Sequence, residues 1–132
     1  GDADRLSGIY NDGIEVCRMD TGGKRPWGYF EVLADAADHK VKRLVVEPGG
    51  CLSLQRHRKR LEHWYTVSGK GKATVEGQQQ IISAGYAVDI PQGATHRLEN
   101  VSTENLIIIE VQTGAYFGED DIERLDDKYG RT

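Results

Sequence analysis

Short apolar runs, separated by glycine and proline turns, recur along most of the chain. Residues 29–33, 40–46 and 106–111 carry β-branched and aromatic side chains in the manner of strands. Residues 48–50 and 91–93 combine proline with glycine and are turn signals. About eight or nine such runs follow one another at intervals of roughly ten residues, which is typical of an all-β sandwich or barrel.

The two ends of the chain depart from this pattern. Residues 1–24 are polar and dotted with glycine, so we expect an N-terminal arm with one strand, followed by a single domain over residues 25–132. Within the arm, residues 9–18 are the candidate segment for pairing with a second copy of the chain. Residues 119–127 are acidic with two apolar side chains at helical spacing, which predicts a short C-terminal helix.

Composition sets the broad class of the protein. The 132 residues, 38% of them hydrophobic and 29% charged, suit one soluble globular domain. The net charge of -4 argues against a nucleic-acid partner or an anionic membrane surface. No apolar run approaches ~18 residues and no signal-peptide pattern is present, so we expect a cytoplasmic protein without a membrane span. Cys17 and Cys51 form no CxxC pair, which favours a reducing compartment but leaves a disulfide between them open.

Four side chains that can bind a metal fall on three predicted strands. Gln55 and His57 are two residues apart and therefore share a strand face. Glu62 follows after a short turn and can return on the neighbouring strand, and His96 begins a strand after a proline-glycine turn. Two imidazoles favour a transition metal over Ca²⁺ or Mg²⁺, and the lack of thiolates argues against a closed structural zinc site. The sequence therefore predicts one divalent metal ion with positions open to a substrate.

These residues also stand in two spaced signatures, and through them the chain resembles the cupins. The first signature is kept at Gly49, His57, Glu62 and Gly69, and the second is kept throughout, at Gly85, Pro91, Gly93, His96 and Asn100. The resemblance implies a jelly-roll barrel of the double-stranded β-helix type. Gln55 stands where the first histidine of the signature is usual, which weakens an iron oxygenase hypothesis. The set Gln, His, Glu, His resembles that of phosphomannose isomerases, which implies zinc as the expected metal, with manganese, nickel, cobalt and iron as alternatives.

Further segments resemble the type II mannose-6-phosphate isomerase domain. They are residues 25–28, 52–55, 62–64, 96–100, 110–114 and 118–122, and the similarity covers roughly residues 24–131. In many bacteria this domain is the C-terminal part of a bifunctional protein with mannose-1-phosphate guanylyltransferase. Because the glycine-rich nucleotide loop of that other half is missing, we expect the isomerase role alone, on a stand-alone chain that feeds GDP-mannose and polysaccharide synthesis.

The implied reaction interconverts mannose 6-phosphate and fructose 6-phosphate through an enediolate. It needs a base with a pKa near neutral, a positive centre for the developing oxyanion, and Lys or Arg for the phosphate. The base is left unassigned. The candidate catalytic residues are Arg97 and Lys42, and the candidate substrate-binding residues are Ser53, Arg60, Lys40 and Gln112.

Several points stay open on the sequence alone. The resemblance implies an arginine near the substrate at Arg97, whereas strict strand alternation turns Arg97 away from His96. Glu110 and Gln112 either line a pocket or face solvent. Another sugar-phosphate isomerase or epimerase, or a non-catalytic sugar-binding cupin, is an alternative function, because one fold hosts many functions. A homodimer is an expectation for the fold.

Overall fold

The computed structural model describes residues 22–130, which form two antiparallel β-sheets. The expected arm, with Cys17 and the candidate pairing segment 9–18, lies almost wholly outside the described residues, and Cys51 forms no disulfide within residues 22–130. The strands are β1 Gly22–Arg25, β2 Gly28–Asp35, β3 His39–Val46, β4 Leu54–Arg56, β5 Arg60–Ser68, β6 Lys70–Val75, β7 Gln78–Ser83, β8 Ala87–Ile90, β9 His96–Asn100, β10 Leu106–Gly114 and β11 Glu123–Asp126. Strand β1 crosses the expected domain boundary at residue 24, and that division stays a prediction.

The sheets face each other as the two walls of a barrel. One has the strand order β1-β2-β3-β10-β5-β8, and the other has the order β11-β4-β9-β6-β7. This arrangement confirms the predicted all-β, double-stranded β-helix architecture. Within residues 22–130, no helix has the length and apolar character that a membrane crossing requires.

Strict alternation of side chains decides which residues face the interior. In β5, every second residue from Arg60 to Thr66 is buried, while the residues between them are exposed. Strand β10 alternates in the same way, and its buried positions include the polar residues Glu110 and Gln112. Both of these side chains therefore point into the barrel rather than into solvent.

The apolar core fills the end of the barrel at which β3 ends and β10 begins. Leu106 and Ile108 of one sheet are fully buried and belong to the same cluster as Leu98 and Ile82 of the other. At Gly71, an added Cβ would lie 2.5 Å from a methyl carbon of Leu106, so only glycine allows the sheets to approach this closely there.

The predicted C-terminal helix is wrong. Residues 119–121 form one turn of 3-10 helix, and the chain then becomes strand β11, which pairs with β4. A helix of this length is marginal without a packed face, and here the backbone finds strand partners instead. The Glu123 carboxylate also accepts hydrogen bonds from the Arg56 guanidinium at 3.0 and 3.3 Å, which holds the segment extended along β4.

Candidate metal centre

Three buried side chains from separate segments meet inside the barrel. His57 follows β4, Glu62 lies in β5, and His96 is the first residue of β9. One ligand-capable atom from each lies within 4.8 Å of the others, and the imidazole rings of His57 and His96 are 4.7 Å apart. The structure thus brings together three of the four residues that the sequence suggested as metal ligands.

The turn that precedes His96 also fixes the backbone at His57. Gly93 has a φ of 80°, a left-handed conformation that favours glycine, and its N–H donates to the carbonyl of His57 at 2.7 Å. At the other end of β9, the Asn100 amide donates to the carbonyl of Val46 at 2.8 Å. Gly93 therefore joins the two segments that carry His57 and His96, and Asn100 fixes the far end of β9 against β3.

Hydrogen bonding and burial prepare both imidazoles to act as ligands. His96 Nδ1 donates to the Ala94 carbonyl at 3.0 Å, which leaves the Nε2 lone pair facing Glu62 Oε1 at 3.8 Å. Burial lowers the pKa of His96, and burial followed by the positive charge of Arg60 lowers the pKa of His57 to about 2. Both rings are therefore neutral at neutral pH, which is the form that binds metal ions.

Glu62 is the centre of a buried polar network. Its carboxylate accepts hydrogen bonds from Arg60 Nε and Trp64 Nε1, each at 3.1 Å, and its Oε2 lies 3.2 Å from His57 Nδ1. Burial and the neighbouring Glu110 raise the pKa of Glu62 well above its ordinary value. A bound divalent cation would favour the ionised carboxylate, so the network suits a metal ion at this point.

The pKa of Glu110 is shifted in the opposite direction from that of Glu62. Burial acts to raise its pKa, but the hydrogen bond with Glu62 and the positive charge of Lys42 outweigh burial and lower it. Its carboxylate accepts from Trp64 Nε1 at 3.1 Å and from the Gln112 amide at 2.8 Å. The ionised Glu110 is thus satisfied by neighbours on the inner barrel face.

Gln55, the fourth suggested ligand, lies directly beside the three residues. Its amide nitrogen donates to Ser53 Oγ at 3.0 Å, and its Oε1 lies 3.1 Å from His57 Nε2. Two neutral imidazoles, one carboxylate and an adjacent amide oxygen form a donor set that fits a divalent transition metal. Ligation by Gln55 itself stays a prediction.

A pocket opens above this group, with a volume of about 560 Å³ including the part that is open to solvent. Of the predicted catalytic and substrate-binding residues, Lys42, Ser53, Arg60 and Arg97 line it, whereas Lys40 and Gln112 are buried on the same inner face without lining it. The full lining consists of Arg25, Trp27, Phe30, Lys42, Leu44, Leu52, Ser53, Gln55, His57, Arg60, Glu62, Trp64, His96, Arg97, Leu98, Glu110, Glu119, Ile122 and Arg124.

The guanidinium of Arg97 is occupied by the protein itself. It donates to the carbonyl of Leu52 at 3.0 Å, and to the carbonyl and carboxylate of Asp126 at 2.9 and 3.1 Å. In β9 it alternates with the more deeply buried His96 and Leu98, as strict strand alternation predicts. Arg97 therefore ties β9 to β11 at the edge of the pocket.

Lys42 lies on the inner wall with two neighbours. Its ammonium donates to Glu119 Oε2 at 3.0 Å and stands 4.5 Å from the centre of the Phe30 ring. Burial acts to raise the pKa of Glu119, but the charge and hydrogen bond of Lys42, together with the charges of Arg25 and Arg60, outweigh burial and lower the pKa. The pocket therefore contains an ionised carboxylate beside a lysine.

The sequence interpretation missed Arg25, Glu119 and Arg124 as pocket residues. Glu119 and Arg124 fell in the expected helix, and no role was predicted for Arg25. A signal was available for Glu119, because residues 118–122 resemble the isomerase domain. No local signal marked Arg124, whose position depends on the pairing of β11 with β4.

Comparison with known proteins assigns the chain to a family. The family model "Mannose-6-phosphate isomerase C-terminal" matches residues 12–127. The chain belongs to this family. A mannose-1-phosphate guanylyltransferase from Escherichia coli is 45% identical over 107 residues, which are 81% of this chain and 23% of that protein. The alginate biosynthesis protein AlgA from Pseudomonas syringae pv. tomato is 45% identical over 108 residues, 82% of this chain and 22% of AlgA.

The family assignment concerns a domain rather than these whole relatives, because the chain spans less than a quarter of the length of either one. Among solved structures, the cupin domain of Schizosaccharomyces pombe Cnp3 is similar with a TM-score of 0.63 and 13% identity, covering 65% of this chain and 64% of that chain. That likeness concerns the fold alone, and it agrees with the barrel described above.

Proposed function

We propose that this member of the mannose-6-phosphate isomerase C-terminal family is a metal-dependent aldose–ketose isomerase. It interconverts mannose 6-phosphate and fructose 6-phosphate, with zinc as the expected metal. The observation that carries the proposal is the buried group His57, Glu62 and His96 at the base of a pocket rich in cations. The family match over residues 12–127 supports the choice of substrate.

In this proposal, the metal is held by Gln55, His57, Glu62 and His96. When bound, it supplies positive charge that stabilises oxygen anions on the sugar. The network around Glu62 keeps the carboxylate directed inward, since Arg60 and Trp64 both donate to it. The Ala94 carbonyl accepts a hydrogen bond from His96 Nδ1–H, and this keeps the lone pair on Nε2 available for the metal.

Lys42 is the proposed catalytic group on the pocket wall. As an ammonium beside the ionised Glu119, it can donate a hydrogen bond to a sugar oxygen, while Glu119 accepts the proton that leaves C2 of the sugar and returns it to C1 of the enediolate. Ser53 also lines the pocket, and its Oγ accepts a hydrogen bond from the Gln55 amide. Its hydroxyl group can donate a hydrogen bond to the substrate.

The other suggested residues act less directly in this proposal. Arg60 is held by Glu62 and by the Phe117 carbonyl at 3.2 Å, so its charge acts across the pocket. Lys40 and Gln112 lie deeper on the inner face, where Gln112 orients Glu110. Arg97 contributes by holding β11 in place through Asp126.

We further propose that the chain works in the cytoplasm, as a homodimer, in supplying mannose units for polysaccharide synthesis. The support for this setting is the similarity to relatives such as the alginate biosynthesis protein AlgA. The net charge of -4 argues against a nucleic-acid partner, because the chain would repel a phosphate backbone, and it is compatible with a small-molecule substrate.

A coupled assay for fructose 6-phosphate tests the proposal. The protein is stripped of metal, and Zn²⁺, Mn²⁺, Co²⁺ or Ni²⁺ is added back before mannose 6-phosphate is supplied. We expect turnover that depends on added metal and that is lost in the His57→Ala/His96→Ala double variant. The matched control is His63→Ala, because His63 is exposed on the outer face of β5, where it pairs with Asp89.

Metal binding by the wild type without turnover of mannose 6-phosphate would reject the proposed reaction. The metal centre would then remain, and the function would move to another sugar phosphate or to sugar binding. Turnover that is unchanged in the double variant would reject the metal centre as the place of the reaction.

A further inference from the structure

The pocket is lined by five cationic side chains, and four of them are already engaged. Arg60 donates to Glu62 and the Phe117 carbonyl, and Arg97 donates to Leu52 and Asp126. Lys42 donates to Glu119. Arg25 donates to the carbonyl of Lys24 at 2.9 Å and lies 3.9 Å from Glu119.

Arg124, the fifth cation, differs from the other four. It makes no hydrogen bond or ion pair within residues 22–130, and its Nε is buried without a partner. A buried polar atom without a partner is costly, so such a group in a pocket is expected to have a ligand. An arginine that is free on the lining of a pocket is therefore a candidate for binding an anion.

The acidic residues near Arg124 do not compete for it. Glu123, its neighbour in β11, accepts hydrogen bonds from Arg56 and Arg58 on the surface. Asp126 is bound to Arg97. Because these carboxylates are already paired, the positive charge of Arg124 stays available inside the pocket.

The sheet register places Arg124 in line with the metal centre. Arg124 in β11 pairs with Gln55 in β4, and Gln55 pairs with His96 in β9. Residues that pair directly in an antiparallel sheet share one face, so all three line the same wall. At about 4.8 Å between strands, the backbone of Arg124 lies roughly 10 Å from that of His96.

We propose that Arg124 anchors the phosphate group of the substrate, while the metal centre acts at the other end of the sugar. This inference rests on the proposed function and adds the phosphate-binding residue to it. The planar guanidinium can donate two parallel hydrogen bonds to phosphate oxygens, which gives orientation as well as affinity. Strand β11 thus carries the group that selects phosphorylated sugars.

Calorimetric titration and steady-state kinetics on the metal-loaded full chain test this assignment. The probes are mannose 6-phosphate, inorganic phosphate and unphosphorylated mannose. In Arg124→Gln we expect the Kd for both phosphate probes to rise at least about tenfold, and KM for mannose 6-phosphate to rise more than kcat falls. Mannose binding should stay within about twofold of the wild type, and Arg124→Lys should recover part of the lost phosphate affinity.

Arg58→Gln is the matched control, because it removes a surface arginine that also contacts β11 through Glu123. Its phosphate affinity should equal that of the wild type.

Equal phosphate affinity in wild type and Arg124→Gln would overturn the assignment, even if isomerase turnover is present. Equal losses for mannose and for the phosphates would also overturn it, since they would indicate a structural role. If mannose 6-phosphate is not turned over but inorganic phosphate binds in an Arg124-dependent way, the phosphate site stands and only the proposed reaction fails. A wild type that binds neither phosphate probe would overturn it as well.

Discussion

Strands β3, β5 and β10 build two halves of one barrel that differ sharply in chemistry. At one end, Leu44 and Ile108 stand side by side on the inner face. Two residues further along the same strands, Lys42, Glu110 and Trp64 occupy the equivalent positions, with Glu62 beyond them. The backbone geometry is the same, so the difference lies wholly in the side chains.

The comparison shows that stability and chemistry are separated along the strands. Burial of apolar side chains stabilises the first half, at roughly 25 cal/mol per Å² of apolar area removed from water. In the second half, each buried charge must have a partner, because desolvation would otherwise destabilise the fold. The network of Glu62, Glu110, Arg60 and Trp64 meets that requirement and leaves a centre suited to a cation.

The largest expected effect comes from Glu62→Gln in the polar half. Activity should fall about 1000-fold or more, corresponding to roughly 4 kcal/mol of transition-state stabilisation, because the candidate metal loses its carboxylate. The free energy of unfolding of the metal-free protein should change by less than about 1 kcal/mol, because the amide is isosteric with the carboxylate and the buried Glu110 remains as a negative charge near Arg60. Kinetics and urea denaturation measure the two quantities.

Glu31→Gln serves as the control for Glu62→Gln, since Glu31 is paired with Arg43 at 3.0 Å on the outer face of the sheet. A large loss of stability in metal-free Glu62→Gln would contradict the division into two halves.

The converse change is Ile108→Ala in the apolar half. Ile108 is fully buried, so its truncation should lower the free energy of unfolding by about 3 kcal/mol through lost burial and a cavity. Metal affinity of the folded variant, measured by titration at low temperature, should stay within about threefold of the wild type. A fall in metal affinity as large as the fall in the free energy of unfolding would refute the separation of stability and chemistry between the two halves of the barrel.

A smaller effect is expected from acidification of the metal-free protein. Below pH 6.5, the unfolded chain binds a proton at His57, while burial keeps the folded His57 neutral down to a pKa of about 2. Stability is therefore lost as pH falls, by about 2 kcal/mol between pH 6.5 and 5 from this one group. Urea denaturation of wild type and His57→Asn at both pH values measures the difference.

The exposed His63 provides the comparison for that experiment. Its replacement by asparagine removes an exposed imidazole from the outer face of β5 and leaves the buried His57 in place. An equal change in both variants would show that burial of His57 is not the cause.

Local spacing was enough to predict an all-β fold and to single out three residues that the structure brings together as a candidate metal group. His57, Glu62 and His96 are marked by turns and by strand alternation, which are features of neighbouring residues. The short helix was predicted wrongly for the converse reason, because residues 119–127 become a strand only by pairing with β4. Arg124 could not be found for the same reason, since its place in the pocket depends on residues nearly 70 positions away.

Alternation also explains which predictions about the interior were incomplete. The sequence left Glu110 and Gln112 open between pocket and solvent, because a polar side chain can occupy either face of a strand. The register of β10 between β3 and β5 decides the question, and it places both side chains against a buried network. Register is a property of three strands together and cannot be read from β10 alone.

Strand β11 has a consequence for the order in which the protein matures during synthesis. The contact between Arg56 and Glu123 joins segments 67 residues apart, so this wall of the pocket closes only after the ribosome has released both. The segments that carry His57, Glu62 and His96 emerge earlier and can assemble first. A nascent chain that ends before residue 119 would therefore hold the candidate ligands without the wall that carries Arg124.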